Sequence, residues 1–381
     1  MRRHYIDSED REIIEAALLL IAKLERTRNL NDISNAEKLD DVADRELLGD
    51  TETVTDINGE EIVLAIGLEE NLLAVDDAVM NEPFKKWKAM LGDYNRRLVD
   101  LRQQEIEFMR LELGSQEAFD FLGTGVKVDV LGPIPEETPE GKKGLRFLRQ
   151  PPKGPRSSEE FMSTDDEEFG TSPSAGHTIN GHSIVLRLRY GGFTFLLAGD
   201  LNDEAERILT RAHNLNEINL QAEVLKVPHH GSHDFSGAFL DAVQPMISVV
   251  SPGDESARKE YVHPRATLIG ALGRFLRVDE PIILITELVA FFKTEGFIDN
   301  RYHSLSQAGV QAVAGREDVV DTRTRERFYA FSRAAFGIVM IRTDGVRLLV
   351  YTNSALEDMK EAYALKMNDL GKPEPVELRR V

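Results

Sequence analysis

The run from Ser183 to His263 constrains this chain more than any other. Ser183 to Tyr190 and Phe193 to Ala198 are apolar, β-rich segments on either side of Gly191-Gly192, which reads as a hairpin. Asp203 to Ala212 then has helical character, and Glu223 to Val227 is again strand-like. Further strands are expected at Val126–Leu131, Met246–Ser251, Ile282–Thr286, Gly337–Thr343 and Val346–Tyr351, with a helix at Thr267–Phe275. Strands alternating with helices, with hairpins among them, call for an α/β protein with mixed sheets.

Two of these strands end in groups that bind metals. Leu196-Leu197-Ala198-Gly199 delivers Asp200, and Val224-Leu225-Lys226-Val227-Pro228 delivers His229-His230-Gly231-Ser232-His233. Carboxylate plus neutral imidazole is the donor set expected of a hydrolytic metal such as zinc. Each residue also has a plain structural reading. Asp200 suits the cap of the following helix, and a histidine pair can simply sit on the surface. His263, before Pro264, is a candidate phosphate contact or proton donor, or a structural histidine at a helix entry. Scattered bases near the proposed mouth, Lys226, Arg258, Lys259, Arg265 and Arg274, are candidate phosphate holders. No alternation of aromatic and basic residues typical of single-strand platforms is visible along the sequence.

Composition limits what such a site can serve. The chain has 381 residues, enough for one large or two ordinary domains, and no cysteine, which removes disulfides and thiolate ligands. Its formal charge of −20 opposes a protein that coats nucleic acid over its whole surface. The apolar run Ala16 to Ala22 is too short to span a bilayer, so a cytoplasmic protein without membrane contact is expected. Before the core, Arg11 to Arg28 has helical periodicity, Asn29 to Asp56 reads as loop, and Glu82 to Gln116 as one or two helices. The expected organisation is a helical part over 1–120, a core over 121–356 with a mobile proline-rich loop at 135–174, and a helix and tail over 357–381.

The order strand, Gly-Asp, helix, Leu-Lys-Val-Pro-His-His-Gly-Ser, strand, Ser-Pro-Gly, His-Pro, helix resembles the metallo-β-lactamase superfamily. Within it, the chain is similar to the ComEC-like hydrolase domain of competence proteins, from about Phe121 to Thr352. The resemblance implies an αββα sandwich of two mixed sheets, with Asp200 as bridging carboxylate, His229 as a metal ligand and His230 beside the site. A further histidine ligand is implied in Gly176-His177-Thr178-Ile179-Asn180-Gly181-His182, where His182, directly before a strand, is the better candidate.

The family's His-x-His-x-Asp-His motif is missing. Tyr5-Ile6-Asp7-Ser8-Glu9-Asp10 stands in its place, with Asp7 and Asp10 as oxygen donors or, alternatively, as acids favouring a helix N-terminus. Oxygen donors favour manganese or magnesium over zinc. The usual N-terminal strands are absent too, so the expectation is that the chain begins inside the domain or that its sheet edge is completed by a protein partner, a second copy or another arrangement. These features imply a metal-dependent hydrolase, a phosphodiesterase or nuclease acting on DNA, or alternatively a degenerate scaffold or binding subunit of the same fold.

Overall fold

A computed structural model describes residues 51–55, 61–65, 82–102, 109–137, 141, 143–149, 158–164, 174–252, 263–275, 277, 282–289, 296–297, 329–330, 333–335, 338–353, 362–370 and 372–376. In chain order these form β1 (Thr51–Thr55), β2 (Glu61–Ala65), α1 (Glu82–Arg102), β3 (Val126–Gly132), β4 (Glu136–Glu137), β5 (Lys143–Arg146), α2 (Ser158–Met162), α3 (Ala175–Gly181), β6 (Val185–Tyr190) and β7 (Phe193–Leu197). They continue with α4 (Asp203–Asn214), β8 (Val224–Lys226), α5 (Gly237–Val243), β9 (Ile247–Val250), α6 (Ala266–Arg274) and β10 (Ile282–Ile285). Short strands β11 (Glu287–Val289), β12 (Gly296–Phe297), β13 (Tyr329–Ala330) and β14 (Arg333–Ala335) precede β15 (Ile338–Thr343), β16 (Arg347–Asn353), β17 (Ala362–Met367) and β18 (Pro373–Val376). The chain is a mixed α/β protein and divides into two compact units, one of Met1–Asn31, Tyr190–Thr194 and Gln221–Val381, the other of Asp32–Arg189 and Phe195–Leu220.

In the unit containing Gln221–Val381, β8, β9 and β10 are neighbouring parallel strands, with Val224 and Ile282 both in register with Ile247. Parallel neighbours need crossovers, which α5 and α6 supply. Leu225, Val227, Phe239, Leu240, Ile247, Val250 and Leu268 are all buried in its core. Helix α5 starts on Ser236, whose side chain accepts from the Phe239 N–H. Strands β15 to β18 form an antiparallel meander in the same unit. Leu348, Val350, Thr352 and Leu365 bury one face of it. Here two hairpin turns touch backbone to backbone, with the Gly192 N–H donating to the Gly345 carbonyl at 2.8 Å. Gly191 and Gly345 have φ of 57° and 89°, and a Cβ on Gly191 would lie 2.4 Å from Gly345 Cα.

The other unit holds β3, β6 up to Arg189 and β7 from Phe195 on, in the order β7-β6-β3, and a four-stranded sheet ordered β1-β2-β5-β4. Helix α4 packs over the former, so that a Cβ on Gly132 would meet Val185 Cγ2 at 3.2 Å and Leu209 Cδ2 at 3.6 Å. Its charged residues Asp203, Glu204, Glu206 and Arg207 are all fully buried. The residues around α2 cover them. Arg207 bonds both Asp203, through Nε at 3.0 Å, and the Glu160 carbonyl, through Nη2 at 2.7 Å, while Arg211 reaches the Thr164 carbonyl at 2.7 Å. Arg149 pairs with the fully buried Glu204.

Several expectations change. The C-terminal segment is not a helix but the strand pair β17 and β18, antiparallel from Ala364↔Val376 to Met367↔Pro373. The 135–174 stretch is not all loop, since β4, β5 and α2 lie within it. In the 1–120 part, β1 and β2 pair antiparallel from Thr51↔Ala65 to Thr55↔Glu61, where loop and helix were expected. The expected helix at Arg11–Arg28 lies outside the described residues. The outer side of β3 is partly occupied by the chain itself, because the Leu113 and Gly114 N–H groups donate to the Pro133 and Val130 carbonyls at 2.9 and 3.1 Å. No helix among the described residues is long and apolar enough to cross a membrane.

Candidate functional site

The tip of β8 carries the most unusual backbone among the described residues. After Pro228, His229 (φ 47°, ψ 43°) and His230 (φ 51°, ψ 16°) are both left-handed, and Gly231 follows with φ 87°. A non-glycine residue in this region costs on the order of 1–3 kcal/mol and persists only where its surroundings over-determine it. Those surroundings are explicit. Gly231 accepts from the Arg265 N–H at 2.8 Å, His229 accepts from the Ser232 N–H at 2.9 Å, and His230 Nδ1 bonds the Ser251 carbonyl at 2.8 Å. That last bond puts the His230 proton on Nδ1. A Cβ on Gly231 would come within 2.8 Å of Pro264 Cβ and 2.9 Å of Val250 Cγ1, so the turn is packed directly against the His263 segment.

The result is a cluster of imidazoles. The rings of His229 and His263 have centroids 6.2 Å apart at 45°. Burial, then Arg265 and the neighbouring His229, His230 and His233, push the His263 pKa down to about 3. His263 is therefore neutral at ordinary pH, which suits a lone-pair donor better than the proton-donor role read from sequence. With metal–nitrogen bonds of about 2.0–2.1 Å, two imidazoles sharing one ion have centroids about 5–6 Å apart, so this pair fits a common cation with little movement. Among the described residues no three such side chains already stand together as a metal-binding group. Of the proposed phosphate holders, Arg265 is buried, Lys226 half-buried and Arg274 exposed, and Arg258 and Lys259 lie outside the described residues.

In the other unit, Asp200 is half-buried just beyond β7, and its N–H donates to Ser183 Oγ at 2.9 Å. Gly199, with φ 56°, is required there, since a Cβ would sit 2.5 Å from Ser183 Cβ. The cap of α4 is not Asp200 but Asn202, whose Oδ1 accepts from the Ala205 N–H at 3.1 Å while its Nδ2 donates to the His177 carbonyl at 2.6 Å. Asp200 is therefore not the cap of the helix that follows it. His182 is the C-cap of α3, in the turn that follows the helix, with Nε2 bonding the Arg146 carbonyl at 2.7 Å. Burial lowers its pKa to about 4, partly offset by that bond. His177 lies within α3, and burial, opposed by the charge of Asp203, lowers its pKa to about 4 as well. Asp7 and Asp10 lie outside the described residues. Sequence reasoning passed over Ser183 and Asn202, although an asparagine before Asp-Glu-Ala-Glu is a recognisable helix start.

No family model matches the chain, and no solved structure matches it. Among curated proteins it is similar to ComE operon protein 3 of Bacillus subtilis (strain 168), 34% identical over 106 residues, and to the competence protein ComA of Neisseria gonorrhoeae, 42% identical over 86 residues. These matches cover 26% and 22% of this chain but only 13% and 12% of the relatives, so the chain spans about an eighth of their length. Over roughly a quarter of its sequence, then, the chain is related to competence proteins.

Proposed function

We propose that this chain is a metal-dependent hydrolase that cleaves phosphodiesters of DNA. The observation that supports the reading is the left-handed His229-His230-Gly231 turn, a costly conformation that brings the His229 ring to 6.2 Å from that of His263, a little beyond the spacing of two imidazoles on one ion. Kinship with proteins named for competence, the uptake of DNA, supplies the substrate class. His229 and His263 are the residues that hold a divalent metal in this reading, zinc foremost on their imidazole chemistry. Asp200, His182, Asp7 and Asp10 remain assigned as further donors on the sequence alone. A bound ion supplies a water acidic enough to attack at neutral pH and offsets charge on the phosphate. In this reading His230, which is exposed and bonds the Ser251 carbonyl through Nδ1, orients a phosphate oxygen.

The test is metal content and DNA hydrolysis of the purified chain. Near-stoichiometric metal and EDTA-sensitive cleavage, both lost in His229→Ala with unchanged circular dichroism, are expected. Full activity in that variant overturns the assignment. One observation favours a second reading, a binding subunit without turnover: no three candidate ligands stand together among the described residues. A folded chain that takes up no zinc, manganese or magnesium selects that reading.

A further inference from the structure

The meander β15 to β18 buries one face and leaves the other open, and register brings together on the open face residues that are far apart in sequence. Met340, Tyr351 and Ala362 lie opposite one another in one row, Arg342, Leu349, Ala364 and Val376 in the next, and Arg347, Lys366 and Glu374 in the third. Arg342, Arg347 and Lys366 are exposed, and Ile338 at the edge is 62% exposed. The Arg342 guanidinium lies over the Tyr351 ring, 5.7 Å from its centroid, and the Tyr351 hydroxyl donates to Met340 Sδ at 3.2 Å, which holds the ring in place. Among the described residues, the carboxylates of the face are Asp344 in the β15–β16 turn, paired with Arg347 at 2.7 Å, and Glu374 on the outermost strand.

We propose that this face binds single-stranded DNA, with an unpaired base against Tyr351 and Arg342 and the backbone phosphates on Arg342, Arg347 and Lys366. The inference rests on the DNA reading above and extends it to how substrate is held. Among the described residues Arg347 is paired with Asp344 and Lys366 lies opposite Glu374, which leaves a small positive excess centred on Arg342; on a chain of net charge −20 such a patch favours an anionic occupant. An aromatic ring with a stacked guanidinium offers what an exposed base needs, a flat face and a delocalised cation, and duplex bases are not available for it.

Anisotropy of a labelled oligothymidylate with the full chain in EDTA measures binding without hydrolysis. Saturable, salt-sensitive binding is expected, with a duplex of equal length bound more weakly. Tyr351→Ala weakens it about tenfold, Tyr351→Phe keeps it, and Arg342→Gln with Lys366→Gln weakens it and flattens the salt dependence. Binding in EDTA needs no metal, which separates this claim from the hydrolase reading. Unchanged affinity in a folded Tyr351→Ala chain overturns the proposal. So does absence of oligonucleotide binding, and so does equal binding of duplex and single strand.

Discussion

Replacing Arg207 by methionine tests the buried charges of α4. The aliphatic stem is kept and the guanidinium removed, so both bonds to Asp203 (3.0 and 3.5 Å) and the one to the Glu160 carbonyl are lost inside a fully buried site. Breaking one partner out of a buried pair costs about 3–5 kcal/mol, chiefly because the remaining charge is stranded. The stranded carboxylate has an escape, which sets a ceiling. Neutralising a carboxyl of ordinary pKa costs about 4 kcal/mol at pH 7 and only about 1.5 kcal/mol at pH 5. The variant should therefore lose about 3–4 kcal/mol relative to the parent at pH 7, and the deficit should shrink towards pH 5. In the variant the folded state holds a proton that the unfolded chain lacks at pH 7, so acid favours folding relative to the parent. Urea denaturation of both chains at the two pH values measures this. Asp203→Leu added to Arg207→Met should restore most of the loss, because no charge then remains to be stranded. A single-variant loss below about 1 kcal/mol, or a double variant no better than the single, refutes the argument and makes the pair's role one of packing.

Gly231→Ala forces a Cβ to within 2.8 Å of Pro264 at φ 87°; a loss of about 1–3 kcal/mol in denaturant, together with the metal content, is expected. Gly191→Ala meets backbone and not a movable side chain, 2.4 Å from Gly345, so thermal melting should show a loss at least as large, or no folded protein at all. His177, His182 and His263 are each held neutral in the folded state, with pKa values of about 4, 4 and 3. Unfolding raises those values towards about 6.5, so the unfolded chain takes up protons first. Stability should be full above about pH 6.5 and fall by a few kcal/mol as the pH drops towards 4, and flat stability across that window would contradict the burial of these rings.

Much of the strand and helix pattern is legible where periodicity is unambiguous. The segments around β6, β7, β8, β9, β10, β15 and β16, and helices α4 and α6, fall where the apolar spacing puts them. The misses have physical causes. The Thr51–Thr55 and Glu61–Ala65 strands flank Asn58-Gly59, the strongest short hairpin signal, which was hidden by an acidic, loop-like background. Ala362–Met367 is built of helix formers, but Leu348↔Leu365 and Val350↔Tyr363 packing across β16 decides it as a strand. Gly176 and Gly181 make α3 look like a turn, yet Ser174 caps it and Gly181 is needed because any Cβ would strike Leu148 and Asn202. Of the site, the His-His-Gly turn was readable, but its left-handed backbone and the approach of His263 were not. They arise from packing between segments more than thirty residues apart, as does the burial of Glu204, Glu206 and Arg207 on a helix whose pattern looks solvated.

The touching tips at Gly191 and Gly345 make two loops of ordinary appearance hard to edit. Neither turn can be lengthened to carry a tag, opened as a new terminus or given a side chain without pushing two chains apart. A saturation library should show both positions returning glycine alone. Engineers seeking an insertion point will do better almost anywhere else.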